Sequence, residues 1–495
     1  MPSGRAREFI ARIYKRLRGS DATRVRLPAS MQFAFVVMCL GLALVFADQN
    51  LLAPNLTAIA NDLDLSPEER DYKLGGQIAF AFFLLGAPAA ILIGSLADYY
   101  SRTKLFAWTL LLGSCPNVLA WYPGVTTFGQ LYWLRALTGI AVGGAAPLTY
   151  SLSSDLFPPS ERTKMSAVTG LSMTFGVVGG QAIAGFLGER YGWRLPFAVV
   201  AVPGMCVAMV LMFFVEEPVR GGMEEHPDAT SLDNEENEET ESLVRSRPST
   251  PPIQRGMLHA KLGTLRAFAK KVNGIVSVRT VQFFLIQGIA GCVPWSMINT
   301  FFNDYLAQDK GLGVQTSTTL LIAFAIGGMV GTIFAGWYGQ ILYNDNPVRV
   351  SFFMGTTAFL GCIPTSYLVL ADYSTSTLDV AFKCTLAFIT GGIACCVGVN
   401  IRALLLNVLH PINRGTAFSL FMLTDDLGRG LGPVVVAMFV SMFGRETAFF
   451  ISVLFWIPCA ILLVASSLTL QKDLQSASIR YQNDRAEAEG SVRID

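Results

Sequence analysis

Shifted against itself by 252 positions, this sequence lays Gly139 on Gly391, Arg162 on Arg414, Gly176 on Gly428, Gly180 on Gly432, Gly192 on Gly444 and Phe197 on Phe449 without a gap. The matched stretch runs from Leu131 to Phe197. It makes Pro158-Pro159-Ser160-Glu161-Arg162 and His410-Pro411-Ile412-Asn413-Arg414 equivalent short turns between long apolar segments. A duplication of this kind restricts the chain to two halves of like topology, with a ligand site most naturally placed between them.

The apolar segments are long enough to cross a bilayer, which takes roughly 20 residues of helix. About twelve such runs follow from the hydropathy pattern, with limits near 31–54, 73–98, 103–122, 127–154, 163–189, 194–215, 276–303, 314–342, 348–371, 378–408, 414–443 and 447–470. Only 15% of the residues are charged, against roughly 25% in an ordinary soluble domain. The expected fold is therefore an all-α membrane protein of twelve transmembrane helices in two pseudo-symmetric six-helix bundles. Residues 31–215 form the first bundle and 276–470 the second. Before them, 1–30 is a basic arm with eight Arg or Lys between Arg5 and Arg26. Its Phe9, Ile10, Ile13, Tyr14 and Leu17 recur at helical spacing, so it is expected to lie on an anionic membrane surface. Between the bundles, 216–275 is a central loop, partly disordered through its acidic tract Glu224 to Glu241. Residues 471–495 are expected as a disordered tail.

Several function classes drop out. No Walker A, zinc-ligand or nucleophile-elbow spacing occurs, so neither an ATP-driven pump nor an enzyme is expected, and no cofactor or metal. The nine cysteines sit mostly inside apolar runs, and a net charge of +1 offers nothing to nucleic acid. Charge asymmetry places the N-terminal arm, Arg102, Lys104, Arg162, Lys164, the central loop and Arg414 on one side, and Asp62, Asp64, Glu68 and Glu69 on the other. Both termini are then expected to be cytoplasmic.

The strongest short motif is Gly94-Ser95-Leu96-Ala97-Asp98-Tyr99-Tyr100-Ser101-Arg102-Thr103-Lys104. It closely resembles the signature between the second and third helices of the major facilitator superfamily. Gly94 is small enough for a close helix approach, and Asp98 is placed to pair with a basic group across the seam between the halves. Gly94, Asp98, Arg102 and Arg162 are accordingly expected to form a gate. Further residues resemble the Spinster-type branch of that superfamily: Asp48-Gln49-Asn50, Arg135, Ser153-Ser154-Asp155-Leu156-Phe157, and Gly192-Trp193-Arg194 with Pro196-Phe197. That resemblance implies a proton-coupled or facilitative carrier of lipids such as sphingosine phosphates and lysophospholipids, in the plasma or an endolysosomal membrane. In that branch the first-helix acid is commonly followed by Arg, where this chain has Gln49.

Charged residues within the spans are costly unless paired or facing water. Asp48 and Arg135 lie at similar depths and are expected to pair. A carboxylate that protonates as its pocket dries, and so releases the arginine, is a workable proton switch; a static structural pair is the alternative. The second half carries Arg402, Asp425, Asp426 and Arg429, one of the two aspartates being expected to pair with Arg402 or Arg429. Asp48, Arg135, Trp295, Asn299, Asn400 and Arg402 form the expected substrate site, the two arginines being the cations that would meet an anionic head. Gln77, Gln181, Gln287 and Asn303 are further polar residues inside apolar spans.

The expected protein is a monomeric alternating-access carrier whose partners are protons, membrane lipids and an amphipathic anionic lipid substrate. A carrier of small organic anions or sugar phosphates is the first alternative, and a non-transporting membrane sensor or scaffold the second.

Overall fold

The computed structural model describes residues 29–97, 100–122, 124–157, 159–218, 270–374, 376–409 and 411–491. The N-terminal arm, most of the central loop and Asp98 lie outside them.

In hydrocarbon no water is at hand to satisfy a backbone N–H or C=O, so long apolar runs close their hydrogen bonds internally as helices. Twelve membrane-length helical segments result among the described residues, and no strand. The first half holds Ala29–Gln49 continued by Leu56–Asp62, then Pro67–Leu96, Arg102–Trp121, Phe128–Leu156, Pro159–Tyr191 and Leu195–Phe214. The second half holds Arg279–Gln308, Val314–Asp345, Pro347–Leu370, Thr377–Asn407, Pro411–Phe443 and Arg445–Ala465. They are called the first to twelfth spans below. Ten of them contain a stretch long and apolar enough to cross a membrane. The third and fourth fall short because they carry polar residues, among them Asn117, Gln130 and Arg135, and those are the helices on which a buried polar site is built. Hydrogen-bonded caps fix some of the starts. The Ser66 hydroxyl accepts from the Glu69 amide while the Glu69 carboxylate accepts from the Ser66 amide. Thr127 and Gln130 make the same reciprocal pair at the head of the fourth span.

The repeat is visible in the packing. Gly139 and Gly391 do the same work in the two halves: a Cβ on Gly139 would stand 2.4 Å from the Phe82 carbonyl oxygen, and one on Gly391 1.9 Å from that of Phe324. The second and fourth spans therefore touch backbone to backbone, as do the eighth and tenth. Gly192 and Gly444 both adopt positive φ, 90° and 76°, where the chain turns into the sixth and twelfth spans. Phe197 and Phe449 are both fully buried one turn later.

The halves meet along two seams. On one, Gly76 lies against Ala437 and Gly430 against Phe83, joining the second and eleventh spans; on the other, Gly185 lies against Thr318, joining the fifth and eighth. These contacts occupy the side carrying Asp62 to Glu69, the acidic side. Toward the basic side, which carries Arg102, the second span stays packed on the fourth through Ile93 and Gly144 but leaves Leu92 exposed, and open space surrounds the position of a Gly94 Cβ. Among the described residues, the halves are closed on the acidic side and open on the basic side. Gly94 therefore serves no close helix approach in this state, contrary to expectation.

The segment beyond residue 470, expected as disordered tail, continues instead as the helix Ser467–Ser491. Thr280, at the start of the seventh span, donates to the Asp473 carboxylate and so ties down the head of that helix.

Candidate functional site

Among the described residues, Arg135 is the largest side chain buried completely. Its guanidinium Nη1 donates to Asp48 Oδ1 at 2.7 Å and to Asn117 Oδ1 at 2.8 Å, while Nη2 donates to the Asp48 carbonyl at 2.8 Å. Phe82 and Phe197 present their rings at 4.7 and 5.3 Å from the guanidinium carbon, a favourable setting for a cation. Two aromatic faces and three oxygens make a site in which a buried arginine is tolerable, yet Nε finds no partner. A void of ≈10 Å³ beside Asp48, lined also by Ser114, Asn117 and Gly204, is at the lower limit for one water molecule. The expected pair is present, but it is too tightly enclosed in this state to hold a substrate head as well.

The remaining expected substrate residues do not converge on it. Asn400 is buried between the eighth and tenth spans, its amide donating to the Ala335 and Cys396 carbonyls. It is a helix-to-helix tie, because the missing side chain of Gly339 leaves room for it. Trp295 packs edge-on against Phe324 and Trp456 inside the second half. Asn299 is exposed, and its carbonyl accepts from Gln181 across the seam. Arg402 is exposed on the open side, within electrostatic reach of Tyr150. These two positions are equivalent in the repeat. Of the other polar residues, Gln287 bonds to its own helix at Phe284 and Asn303 donates to Thr318.

Asp425 pairs with Arg429 one turn along the eleventh span, at 2.7 Å. The Asp426 side chain lies outside the described residues.

The expected gate looks different from its sequence. Among the described residues, Arg102 is bound within the first half: Nη1 lies 2.5 Å from Asp155, and Nε donates to Glu217 at 3.0 Å. Glu217 also accepts from the Thr103 amide and the Ser101 hydroxyl. Burial works to raise the Glu217 carboxyl, but the hydrogen bonds from Thr103, Arg102 and Ser101 outweigh it and hold it down at about 2. The cluster clamps the ends of the third, fourth and sixth spans together. Asp98 and the Arg162 side chain lie outside the described residues.

A second polar site has no counterpart in the sequence reading. On the acidic side Arg445, at the head of the twelfth span, donates to Asp71 of the second span at 2.9 and 2.6 Å, to Asp304 of the seventh at 2.9 Å and to Asp309 at 2.6 Å. Asp304 in turn accepts from the amide and hydroxyl of Thr57, both at 2.9 Å. Arg70 bonds to Asp71 and to the Thr57 hydroxyl. Charges at span ends resemble ordinary solvated loop charges, so only the fold discloses this group. The one signal was Asn303-Asp304, which interrupts an otherwise apolar run.

A cavity of ≈590 Å³ opens beside this site between the second, fourth and eleventh spans, lined by Tyr72, Gln77, Phe80, Phe128, Tyr132 and Leu431. Tyr72, Phe80 and Leu431 are exposed, so it opens sideways from the bundle.

Residues 38–433 match the Major Facilitator Superfamily. A putative metabolite transport protein of Haemophilus influenzae is 26% identical over 409 residues, covering 81% of this chain and 87% of that one. Protein spinster of Drosophila melanogaster is 27% identical over 225 residues, 44% of this chain and 34% of its own. Among solved structures, a bacterial homologue of the human lysosomal transporter Spinster, inward-facing and unoccupied, superposes with a TM-score of 0.70 at 18% identity. The superposition covers 90% of this chain and 98% of that one.

Proposed function

The chain belongs to the Major Facilitator Superfamily, and from that premise we propose that it moves an amphipathic anionic lipid, of lysophospholipid or sphingoid type, by alternating access. That it is a multi-pass membrane transporter rather than an enzyme follows from the family. The substrate, the coupling and the orientation are our reading. The basic side is taken as cytoplasmic, in a plasma or endolysosomal membrane, from the excess of Lys and Arg there.

The observation that carries the lipid reading is the separation of the two cations. Arg402 is within electrostatic reach of Tyr150, and Tyr150 lies fifteen residues beyond Arg135 on one helix, about 22 Å at the α-helical rise. One small dianion cannot bridge that distance, and Arg135 is already engaged. A molecule with a single anionic head and a long tail suits one exposed arginine in an open vestibule. Roles divide accordingly: Arg402 meets the head, and Asp48 with Arg135 takes and releases a proton.

The Asp48 carboxylate is the group to protonate, because a guanidinium keeps its proton. Once neutral it loses its charge-assisted bond to Nη1 and frees Arg135 to rearrange. A carrier of small organic anions or sugar phosphates remains the second reading, favoured by the metabolite transport protein that aligns over most of both chains.

Uptake by proteoliposomes of a lysophospholipid and of a sugar phosphate decides between them. Lysolipid uptake supports the proposal, and sugar phosphate uptake alone overturns it in favour of the second reading.

A further inference from the structure

We propose that the cluster of Arg70, Asp71, Asp304 and Arg445, with Thr57, is the latch of the acidic-side gate: it holds the two halves shut in this state and must part for the opposite state to form. The inference rests on the two halves moving as described above, but not on which substrate they carry.

The latch crosses the seam twice, in opposite senses. Asp71 of the first half holds Arg445 of the second, and Asp304 of the second half holds Thr57 and Arg70 of the first. Asp304 is fully buried, Asp71 is 3% and Arg445 8% exposed, so these charges are withdrawn from water. Asp309, whose side chain is 38% exposed, and Arg70, at 12%, connect the group to solvent.

The energetics suit a gate better than a permanent fastening. A buried ion pair gains Coulomb attraction and loses hydration, and the two nearly cancel. When the halves part, water returns to each charge. The closed and open arrangements can then lie close in free energy, as a switching element requires. An apolar seal of equal area would give up its whole burial energy on opening.

The backbone beneath the latch is built for such movement. The segments Arg70–Gln77 and Met297–Phe301 are both π-helical, and short π-helical turns are wider than the α-helix and concentrate at functional sites. They face each other across the seam: a Cβ on Gly75 would come within 2.1 Å of the Phe301 ring. Asp71 stands in the first segment, and Asp304 lies three residues beyond the second. A change of winding in either one would shift a latch carboxylate. On the basic side, by contrast, the ion pairs described for Arg102, with Asp155 and Glu217, lie within the first half.

Thiol labelling of purified protein tests the latch without any substrate, so a wrong substrate and a wrong latch give different failures. A cysteine is placed at Ala437, buried in the closed seam against Gly76, or at Tyr150, exposed on the open side; protein lacking the added cysteine is the blank. Asp71→Asn removes a charge across the seam while leaving Arg445 its bonds to Asp304 and Asp309. It is expected to raise labelling at Ala437→Cys roughly tenfold, within the usual range for coupled sites, and to lower it at Tyr150→Cys. Thr57→Val, which takes only a hydroxyl from Asp304, gives a smaller shift in the same sense should Asp71→Asn fail to fold. Unchanged labelling at Ala437→Cys in a folded variant overturns the latch. A rise at both positions also overturns it, since that is loosening of the protein and not a change of side.

Discussion

Arg135 and Asp48, 87 positions apart, meet at 2.7 Å where neither is open to solvent, and the guanidinium is held between the rings of Phe82 and Phe197. Every part of that arrangement comes from a different helix: the acid from the first span, the base from the fourth, Asn117 from the third, and the rings from the second and sixth. The pair thus ties together five of the six helices of the first half. A change in its charge is felt by the whole bundle.

Removing one partner of a buried pair strands the other. Asp48→Ala leaves a fully buried guanidinium with only amide and carbonyl oxygens around it, and is expected to cost about 3–5 kcal/mol. Asp48→Asn keeps the shape and costs less. Arg135→Gln in the Asp48→Asn background recovers part of the loss, because no charge is then left buried. Melting temperatures of the detergent-solubilised variants give the order.

The two repeat-related glycines should fail alike. Gly139→Ala drives a methyl into the Phe82 carbonyl and Gly391→Ala into that of Phe324. Neither helix backbone can yield without moving its neighbour, so each variant is expected to lose about 1–3 kcal/mol, the usual cost of overpacking. Gly94→Ala, with open space at that position, is expected to fold like the parent. Yield of monodisperse protein after solubilisation separates the three.

The Glu217 clamp carries a pH signature of definite sign. Its carboxyl is held below its ordinary 4.5, at about 2, so the folded state binds its proton less readily than the unfolded state does. Its contribution is complete above about pH 4.5 and is lost as the pH falls toward 2. Glu217→Gln is therefore expected to melt lower than the parent at pH 7, with the gap closing as the pH is lowered through that window. A gap that widens on acidification would contradict the hydrogen bonding described for Ser101, Arg102 and Thr103.

The anionic head is assigned to Arg402. Arg402→Gln should raise the KM for a lysophospholipid about tenfold, equivalent to the loss of one charge-assisted hydrogen bond. The melting temperature should be nearly unchanged, since the side chain is exposed. Arg402→Lys should recover much of the affinity. Uptake kinetics in proteoliposomes supply the comparison.

The sequence disclosed most where a residue was out of place in its surroundings. Asp48 and Arg135 stand in long apolar runs, so their charge was informative and their matched depths brought them together. Gly139, Gly391, Gly192 and Gly444 announced themselves through the repeat. Asp71, Asp304 and Arg445 were silent for the opposite reason. They sit at span ends where charge is ordinary, and Asp71 and Arg445 are 374 positions apart, so nothing short of the fold joins them. Asn400 and Trp295 were misread because a polar or aromatic residue on a cavity-lining helix faces the cavity on only part of the turn. Asn400 instead fills the space that Gly339 leaves on the eighth span, and Trp295 the core of its own half. Gly94 was assigned a close approach that belongs, if anywhere, to a state with the basic side closed.

The central claim is a carrier whose proton switch is Asp48 with Arg135, and the most direct measurement is lysophospholipid uptake by proteoliposomes with and without an imposed pH gradient, for the parent and for Asp48→Asn. The account predicts uptake accelerated by the gradient in the parent, and slow, gradient-independent uptake in the variant. Equal stimulation of both proteins by the gradient would remove Asp48 from the coupling and reduce its pair with Arg135 to a structural tie.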